Sequence, residues 1–248
     1  MVQIYKNGKW TTAVKNTGIN KTTAEVKGLN PGAEYKLRVM CFKDGTEVIY
    51  GVPAEITVST LPSVVAGFKT KSKSYNSITL QWNKNTSATG YELQKWNGKK
   101  WVALTKITRN STTTYTVKSL KASTTYKYRI RAYKTIGKAT QYSAYSATLS
   151  VRTNPSNMSG FKAKRTAKTS VTLQWRKNTS ATGYEIQKWN GKKWVSAAKV
   201  TKNSTVTSTV KNLKKNTSYR FRIRAYKTIG KATQYSSWSG TLTVRTKK

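Results

Sequence analysis

The 248-residue sequence contains no histidine, one cysteine and only seven acidic residues. Without histidine, the chain has neither an imidazole general base nor an imidazole metal ligand. One cysteine can form neither an internal disulfide nor a thiolate zinc site. No stretch approaches the roughly 18 consecutive apolar residues of a membrane-spanning helix, so no membrane span is expected.

The few carboxylates are unevenly distributed. Residues 62–153 and 154–248 contain one each, Glu92 and Glu185, so neither stretch can supply the carboxylate pair of a glycosidase. The carboxylates of residues 1–61 do not have the spacing of a calcium-binding loop. A glycine-rich phosphate loop is also missing. We therefore expect no enzymatic activity, no bound metal and no cofactor.

An internal repeat organises most of the chain. Residues 85–101 (NTSATGYELQKWNGKKW) recur at 178–194 with one change, Leu93 to Ile186. The constant offset of 93 residues is close to the ~100 residues of an immunoglobulin-like sandwich and exceeds the ~20–50 residues of a solenoid repeat. Domain boundaries are therefore predicted for a second repeat, residues 62–153, and a third repeat, residues 154–248.

A diverged copy, termed the first segment, covers residues 1–61. Its Leu29–Tyr35 stretch matches Leu120–Tyr126 of the second repeat, but nothing in it corresponds to residues 62–90. The alignment therefore predicts a module that lacks strands A and B, with strand E around Ala24 and Val26. Either residues preceding Met1, which we favour, or a strand added by another polypeptide would complete such a module.

The single cysteine is placed by the same alignment. Cys41 falls on Ala132 and Ala225, which occupy an inward position of the longest strand. We expect a buried free thiol that packs as a small apolar side chain rather than a reactive one.

Short runs of alternating apolar residues indicate β-strands. In the second repeat, Ile78, Leu80 and Trp82 alternate in one run, and Tyr126, Tyr128 and Ile130 alternate in the longest one. Asn97-Gly98 is typical of a two-stranded hairpin turn. Because long helical periodicity is absent, the predicted fold class is all-β, built from antiparallel sandwiches.

Two features of each repeat resemble the fibronectin type III family. The ITLQW segment is similar to the family's strand B with its core tryptophan, and the Leu-x5-Tyr spacing resembles the E–F corner, where a tyrosine hydroxyl bonds to the backbone. The GYELQKWNGKKW hairpin resembles the C–C′ hairpin of copies found in secreted Gram-positive bacterial proteins. The resemblance implies tandem immunoglobulin-like (fibronectin type III) β-sandwiches in a linear array. Strands A, B and E would form one sheet and C′, C, F and G the other.

Positive charge is concentrated in the two repeats. The net charge is +40, of which the first segment contributes +3, the second repeat +16 and the third repeat +21. Such asymmetry favours a polyanionic environment or partner over a role in solubility alone.

Strand alternation predicts where part of this charge lies. If Tyr128 and Ile130 face the core, Arg129 and Arg131 face outwards beside Glu92, which we expect to pair with a cross-strand arginine while the other cations stay uncompensated. The predicted anion- or glycan-binding face comprises Trp96, Trp101, Lys127, Arg129, Arg131 and Tyr133, and in the third repeat Trp189, Trp194, Arg220, Arg222, Arg224 and Tyr226. The alternative is an ordinary solvated face on which arginines stack against Trp96 and Trp189.

Several functions fit these features. The family resemblance and the charge favour a secreted or cell-surface spacer and adhesion element that meets anionic polysaccharides or cell-wall polymers. Near-identical modules also suit a structural subunit of a fibre or sheath, a homopolymer in which another chain completes residues 1–61. A third possibility is a set of accessory modules of a polysaccharide-degrading enzyme. Nucleic acid is expected to bind only non-specifically.

Overall fold

The computed structural model describes residues 1–15, 18, 20–43 and 48–248. Within these residues the chain forms β-strands and turns, as the all-β prediction required. No helix of the described part is long and apolar enough to cross a membrane.

The third repeat contains eight strands. They are β15 (Lys162–Thr166), β16 (Val171–Gln174), β17 (Gly183–Trp189), β18 (Trp194–Val200), β19 (Thr207–Val210), β20 (Ser218–Ile229), β21 (Ala232–Tyr235) and β22 (Leu242–Arg245). Strands β15, β16 and β19 form one antiparallel sheet, and β18, β17, β20 and β21 form the other, with β22 also paired to β20. This confirms the expected separation of strands A, B and E from C′, C, F and G.

Alternation of side chains builds the core of the third repeat. Val171 and Leu173 of β16 pack in one cluster with Ile186 of β17 and Ile223 of β20 from the other sheet, and all four are fully buried. Trp175 follows β16 and its ring contacts Tyr184 edge-on at 5.2 Å between centroids. Burying side chains of this size contributes about 1.5–3 kcal/mol each, so the core fixes the strand register.

The second repeat has the same strand order. Its strands are β7 (Lys69–Lys73), β8 (Ile78–Gln81), β9 (Gly90–Trp96), β10 (Trp101–Ile107), β11 (Thr114–Val117), β12 (Thr125–Ile136), β13 (Ala139–Tyr142) and β14 (Leu149–Arg152). One sheet has the order β11-β8-β7 and the other β10-β9-β12-β13, with β14 also paired to β12. Asn97-Gly98 makes the predicted hairpin turn, with Gly98 at φ 103°.

The first segment forms a four-stranded sheet and a separate two-stranded one. Its strands are β1 (Val2–Lys6), β2 (Lys9–Val14), β3 (Glu34–Val39), β4 (Phe42–Lys43), β5 (Ile49–Tyr50) and β6 (Ala54–Ser59). The sheet order is β2-β1-β3-β6, and β4 pairs with β5. The inner face is only partly covered, since Val2 and Ile4 are buried whereas Val39 and Ile56 are 51% and 58% exposed.

The strand E predicted around Ala24 and Val26 is wrong, because the described residues 20–33 contain no strand. In the third repeat strand E is β19, which is hydrogen-bonded to strand B, β16. The first segment has no strand B counterpart, so a strand E there would have no backbone partner.

The prediction of a buried Cys41 is also wrong, since this cysteine is exposed. Alignment of residues 2–4 with residues 91–93 of the second repeat places Val2 opposite Cys41, because Tyr91 lies opposite Ala132, but Val2 lies opposite Val39. The shift of two residues preserves the alternation of faces, yet it leaves Cys41 beyond the end of β3.

Tyrosine corners occur at all three predicted positions. The hydroxyl oxygens of Tyr35, Tyr126 and Tyr219 accept hydrogen bonds from backbone amides five residues upstream, at 2.7, 2.8 and 2.8 Å. The corner fixes the entry into the long central strand, β12 or β20, which carries the candidate site.

Grouped by contacts, the chain forms two compact units. One consists of residues 1–68, 82–113 and 128–149, and the other of residues 69–81, 114–127 and 150–248. The first unit therefore contains the first segment with strands β9, β10 and β13, and the second contains β7, β8 and β11 with the third repeat. The domain boundaries after residues 61 and 153 stay a prediction.

Candidate functional site: an arginine–aromatic ladder

The outer face of β20 carries three arginines. Arg220, Arg222 and Arg224 alternate with Phe221, Ile223 and Ala225, which are fully buried. On the neighbouring strand β17, Gln187 lies opposite Arg222 and Glu185 lies opposite Arg224. The core side of β20 thus dictates that its cations line up on the solvent side.

Aromatic rings separate these arginines in the third repeat. The guanidinium carbon of Arg222 lies 4.4 Å from the ring centre of Trp194 and 4.2 Å from that of Trp238. The guanidinium carbon of Arg224 lies 4.4 Å from Trp238 and 3.8 Å from Tyr235. Cations and rings therefore alternate in a stack, which we term the arginine–aromatic ladder.

The second repeat has the same ladder. Arg129 lies 4.5 Å from the ring of Trp101 and 3.8 Å from that of Tyr145. Arg131 lies 4.7 Å from Tyr145 and 3.8 Å from Tyr142. Stacking on rings at these distances contributes ~0.5–1 kcal/mol per exposed pair and more where water is excluded.

The predicted cross-strand ion pairs are present. Arg131 donates to Glu92 at 2.9 Å, and Arg224 donates to Glu185 at 2.7 Å. Burial raises the pKa of Glu92, but hydrogen bonds from Arg131 and Tyr145 and the charge of Arg131 outweigh it, so that the pKa lies below its usual value. Burial and the hydrogen bond to Glu92 raise the pKa of the Tyr145 phenol.

The other ladder arginine of each repeat has no carboxylate partner, as expected, but it is hydrogen-bonded to a neutral amide. Arg129 donates through Nε to the side-chain oxygen of Gln94 at 2.9 Å. Arg222 donates to Gln187 through both Nε and Nη2, at 2.9 and 2.6 Å. Neutral amides and aromatic faces thus take the place of counterions, because each repeat has a single carboxylate.

Serine hydroxyls hold the chain after β21 against β20. The amide of Ala225 donates to Ser236 Oγ at 2.9 Å, and the amide of Ile223 donates to Ser239 Oγ at 3.0 Å. These bonds satisfy amides of β20 where β21 has ended and place Trp238 between the two arginines. Ser143 and Ser146 make the equivalent bonds in the second repeat.

Sequence reasoning missed four of the six aromatic residues of the ladder. The missed rings are Tyr142, Tyr145, Tyr235 and Trp238. A signal was available, because both repeats place two aromatic residues three positions apart, each followed by serine. Their contact with β12 and β20 depends on how the chain folds back over the strand, which no local pattern states.

Tyr133 and Tyr226 lie on the same side of their strands as the ladder arginines, as predicted, but they are covered by neighbouring residues, which corrects their assignment to an exposed binding face. They are 3% and 4% exposed. Tyr133 lies opposite Gly90 on β9, and its ring occupies the space that a side chain at Gly90 would fill. The hydroxyl donates to the carbonyl of Ile107 at 3.4 Å. The glycine in the opposing strand is the sequence signal for this burial.

The hairpin tryptophans are half-buried and pair with each other. Trp96 contacts Trp101, and Trp189 contacts Trp194, edge-on at 5.5 Å between centroids in both repeats. Arg220 lies 5.0 Å from the ring of Trp189, as expected. The ladder arginines stack instead on the second tryptophan of each hairpin. Lys127 and Arg220, which precede the ladder on their strands, are exposed.

Within the described residues, no group of three or more histidine, cysteine, aspartate or glutamate side chains could hold a metal ion. The ladder consists of guanidinium groups held between aromatic rings, with their N–H groups donating to the side chains of the neighbouring strand.

Comparison with known proteins gives matches over nearly the whole chain. The family model described as the fibronectin type III domain matches residues 63–148 and 154–241. Exoglucanase B of Cellulomonas fimi is 28% identical over 260 residues, covering 96% of this chain and 21% of that protein. Chitinase A1 of Niallia circulans is 29% identical over 194 residues, covering 72% of this chain and 25% of that protein.

Animal proteins are also similar. The human phosphatidylinositol phosphatase PTPRQ is 26% identical over 266 residues, covering 98% of this chain and 11% of that protein. The chain thus spans a quarter or less of the length of these three relatives. Among solved structures, a two-domain fibronectin type III segment of chicken tenascin is 16% identical with a TM-score of 0.46, covering 74% of this chain and 99% of that one.

Proposed function

The chain belongs to the fibronectin type III family, and from this premise we propose a non-catalytic array of modules that acts outside the cell as a spacer and adhesion element. Its basic repeats attach to anionic polysaccharides or cell-wall polymers. A secreted or cell-surface protein of a Gram-positive bacterium is the setting that suits this role.

The observation that carries the proposal is the excess of cations over carboxylates. The two repeats contain 39 lysines and arginines but only Glu92 and Glu185 as acidic side chains. Each of these carboxylates pairs with a single arginine, so 37 positive charges have no carboxylate partner within the repeats. Exposed lysines such as Lys99, Lys100 and Lys192 lie in the hairpins and meet solvent. A polyanion would neutralise them and release its own counterions.

The connection between the second and third repeats supports the spacer role. Ser123 Oγ donates to the backbone carbonyl of Ser180 at 2.8 Å. Asn178 is buried and donates to the carbonyl of Ser156 at 2.7 Å, while its oxygen accepts from Ser180 Oγ at 2.7 Å. Thr153 Oγ1 donates to the carbonyl of Lys121 at 2.7 Å. The bond from Ser123 joins the two repeats, and the other bonds fix the residues on either side of the connection within their own repeats. A connection held in this way suits a spacer.

Two alternatives keep specific support. Accessory modules of a polysaccharide-degrading enzyme are favoured by the similarity to an exoglucanase and a chitinase. A fibre subunit completed by a strand from another chain is favoured by the first segment. There Val39 is 51% exposed, whereas Ile223, at the matching position of the third repeat, is fully buried.

Retention on immobilised polymers tests the proposal. The full chain is applied to polygalacturonate, heparin and teichoic acid at low salt and eluted with a salt gradient, with cellulose and chitin as uncharged supports. We expect retention on the anionic polymers that falls steeply towards physiological salt. No retention on any of the three would refute the attachment role, and retention only on cellulose or chitin would favour accessory modules.

A charge-matched pair of variants locates the binding. Lys99→Glu with Lys192→Glu reverses two hairpin cations, and Lys247→Glu with Lys248→Glu reverses two cations at the end of the chain. Both variants change the net charge by the same amount and leave the ladder intact. A larger loss of retention for the hairpin pair would place binding at the hairpin end of the larger sheet, and equal losses would mean that diffuse charge is sufficient.

A further inference from the structure

An open groove of about 610 Å³ lies at one end of the larger sheet of the third repeat. The end of β17, the following hairpin turn and the start of β20 enclose it. Its walls include Lys188, Trp189, Asn190, Tyr219 and Arg220. The lining includes two aromatic residues and two cations but no carboxylate. Trp189 and Arg220 lie on the solvent-facing side of the sheet, whereas Lys188 and Tyr219 lie on its other side at the edge of the groove.

Arg220 differs from the other arginines of β20. The guanidinium groups of Arg222 and Arg224 are occupied by Gln187 and Glu185. Arg220 is exposed, and within the third repeat, which is described in full, its recorded contact is with the ring of Trp189 at 5.0 Å. The ring orients the guanidinium without neutralising it, so its N–H donors remain available to a ligand.

Lys188 provides a second available cation. Its Nζ lies 5.4 Å from the ring centre of Tyr219. Like Arg220, it has an aromatic support and no carboxylate partner in this repeat. Lys188 lies opposite the buried Phe221, so it adds positive charge beside the groove, while Arg220 on the solvent-facing side supplies the free N–H donors. This local anion site is distinct from the closed ladder.

We infer that this groove binds an acidic sugar residue of an anionic polysaccharide, with the sugar carboxylate on Arg220 and the pyranose ring against Trp189. The planar guanidinium matches a carboxylate through two parallel N–H···O bonds. The indole offers a rigid apolar face to the ring C–H groups. The inference rests on the proposed attachment to anionic polysaccharides and names the residue type recognised.

The second repeat supplies a natural comparison. Trp96, Asn97 and Tyr126 occupy the positions of Trp189, Asn190 and Tyr219, but Lys127 replaces Arg220. A lysine ammonium is a point charge that cannot make the bidentate contact. An exchange of arginine and lysine at these two positions therefore changes the site without changing the net charge.

The test uses the full chain and a trisaccharide of galacturonic acid, with neutral maltotriose as the control ligand. Calorimetry gives the affinity and stoichiometry, and the indole N–H resonances in NMR spectra identify the tryptophan that responds. We expect one tight site per chain, with the Trp189 resonance shifted at the lowest ligand concentrations. Arg220→Lys should weaken binding at the third repeat about tenfold, to the level of the second repeat. Lys127→Arg should raise the second repeat to a second tight site that shifts Trp96.

Unchanged affinity in Arg220→Lys, or equal binding of maltotriose, would overturn the inference. Binding of sulfate as tight as that of the trisaccharide would also overturn it, because the groove would then recognise only charge. The proposed function fails separately, on the polygalacturonate column. Retention of the wild-type chain there, without trisaccharide binding, would refute the groove alone.

Discussion

Substitution of Gly183 by alanine should unfold the third repeat at a markedly lower temperature. Gly183 lies on β17 opposite Tyr226, whose ring covers the glycine. A Cβ at this position would overlap the carbonyl oxygen of Val200 and would lie 2.7 and 2.8 Å from the hydroxyl oxygen and adjoining carbon of Tyr226. Carbon atoms in optimal contact are roughly 3.5 Å apart. Because the overlap is with backbone, rotamer changes cannot relieve it.

The expected cost is about 3 kcal/mol, the upper part of the range for overpacking. For a domain of this size, that corresponds to a fall in Tm of roughly 12 °C or more. Gly240→Ala is the matched control. A Cβ there meets nothing within 4 Å, and the second repeat has Ala147 at the equivalent position. We expect this control to melt within a few degrees of the wild type.

Thermal unfolding and hydrogen exchange provide the measurement. Peptides from β20 report on the third repeat, and the corresponding peptides from β12 serve as a reference within the same molecule. Gly183→Ala should raise exchange in β20 and leave β12 unchanged. A fall in Tm of less than about 3 °C, or equal changes in both strands, would refute the account of why Tyr226 is buried.

Three further outcomes are expected. Because the folded-state pKa of Glu92 is depressed, its contribution to stability is present above the unfolded-state pKa near 4.5 and is lost as the pH falls through the folded-state value. Glu92→Gln should therefore remove this acid dependence from unfolding curves. If the same dependence persisted in the variant, the role of Arg131 would be contradicted. Trp238→Ala removes two ring contacts with arginine and should cost about 1–2 kcal/mol in urea unfolding, whereas Trp238→Tyr, which restores the residue type of the second repeat, should cost far less. Ser123→Ala removes the bond to the carbonyl of Ser180 and should speed amide exchange around that turn; unchanged exchange would mean that the bond does not hold the connection.

Much of the fold follows from the sequence, because its signals are local or repeated. A constant offset of 93 residues defines two copies. Alternation on β12 and β20 separates core residues from arginines, since strand side chains point to opposite faces in turn. The ion pair between Glu92 and Arg131 was predictable as well, because antiparallel register sets which residues lie opposite one another.

Tertiary structure decided what the solvent-facing side of each repeat offers. The rings of Tyr145 and Trp238 reach the arginines only because the chain after β13 and β21 folds back over the long strand. These rings cover part of the face that was predicted to bind anions. Tyr133 is buried because Gly90, distant in sequence, leaves room for its ring. Cys41 is exposed because β3 pairs with β1 two residues away from the aligned register. Strand propensity is a local property, whereas burial depends on which distant side chain is absent or present, and only the packed chain determines that.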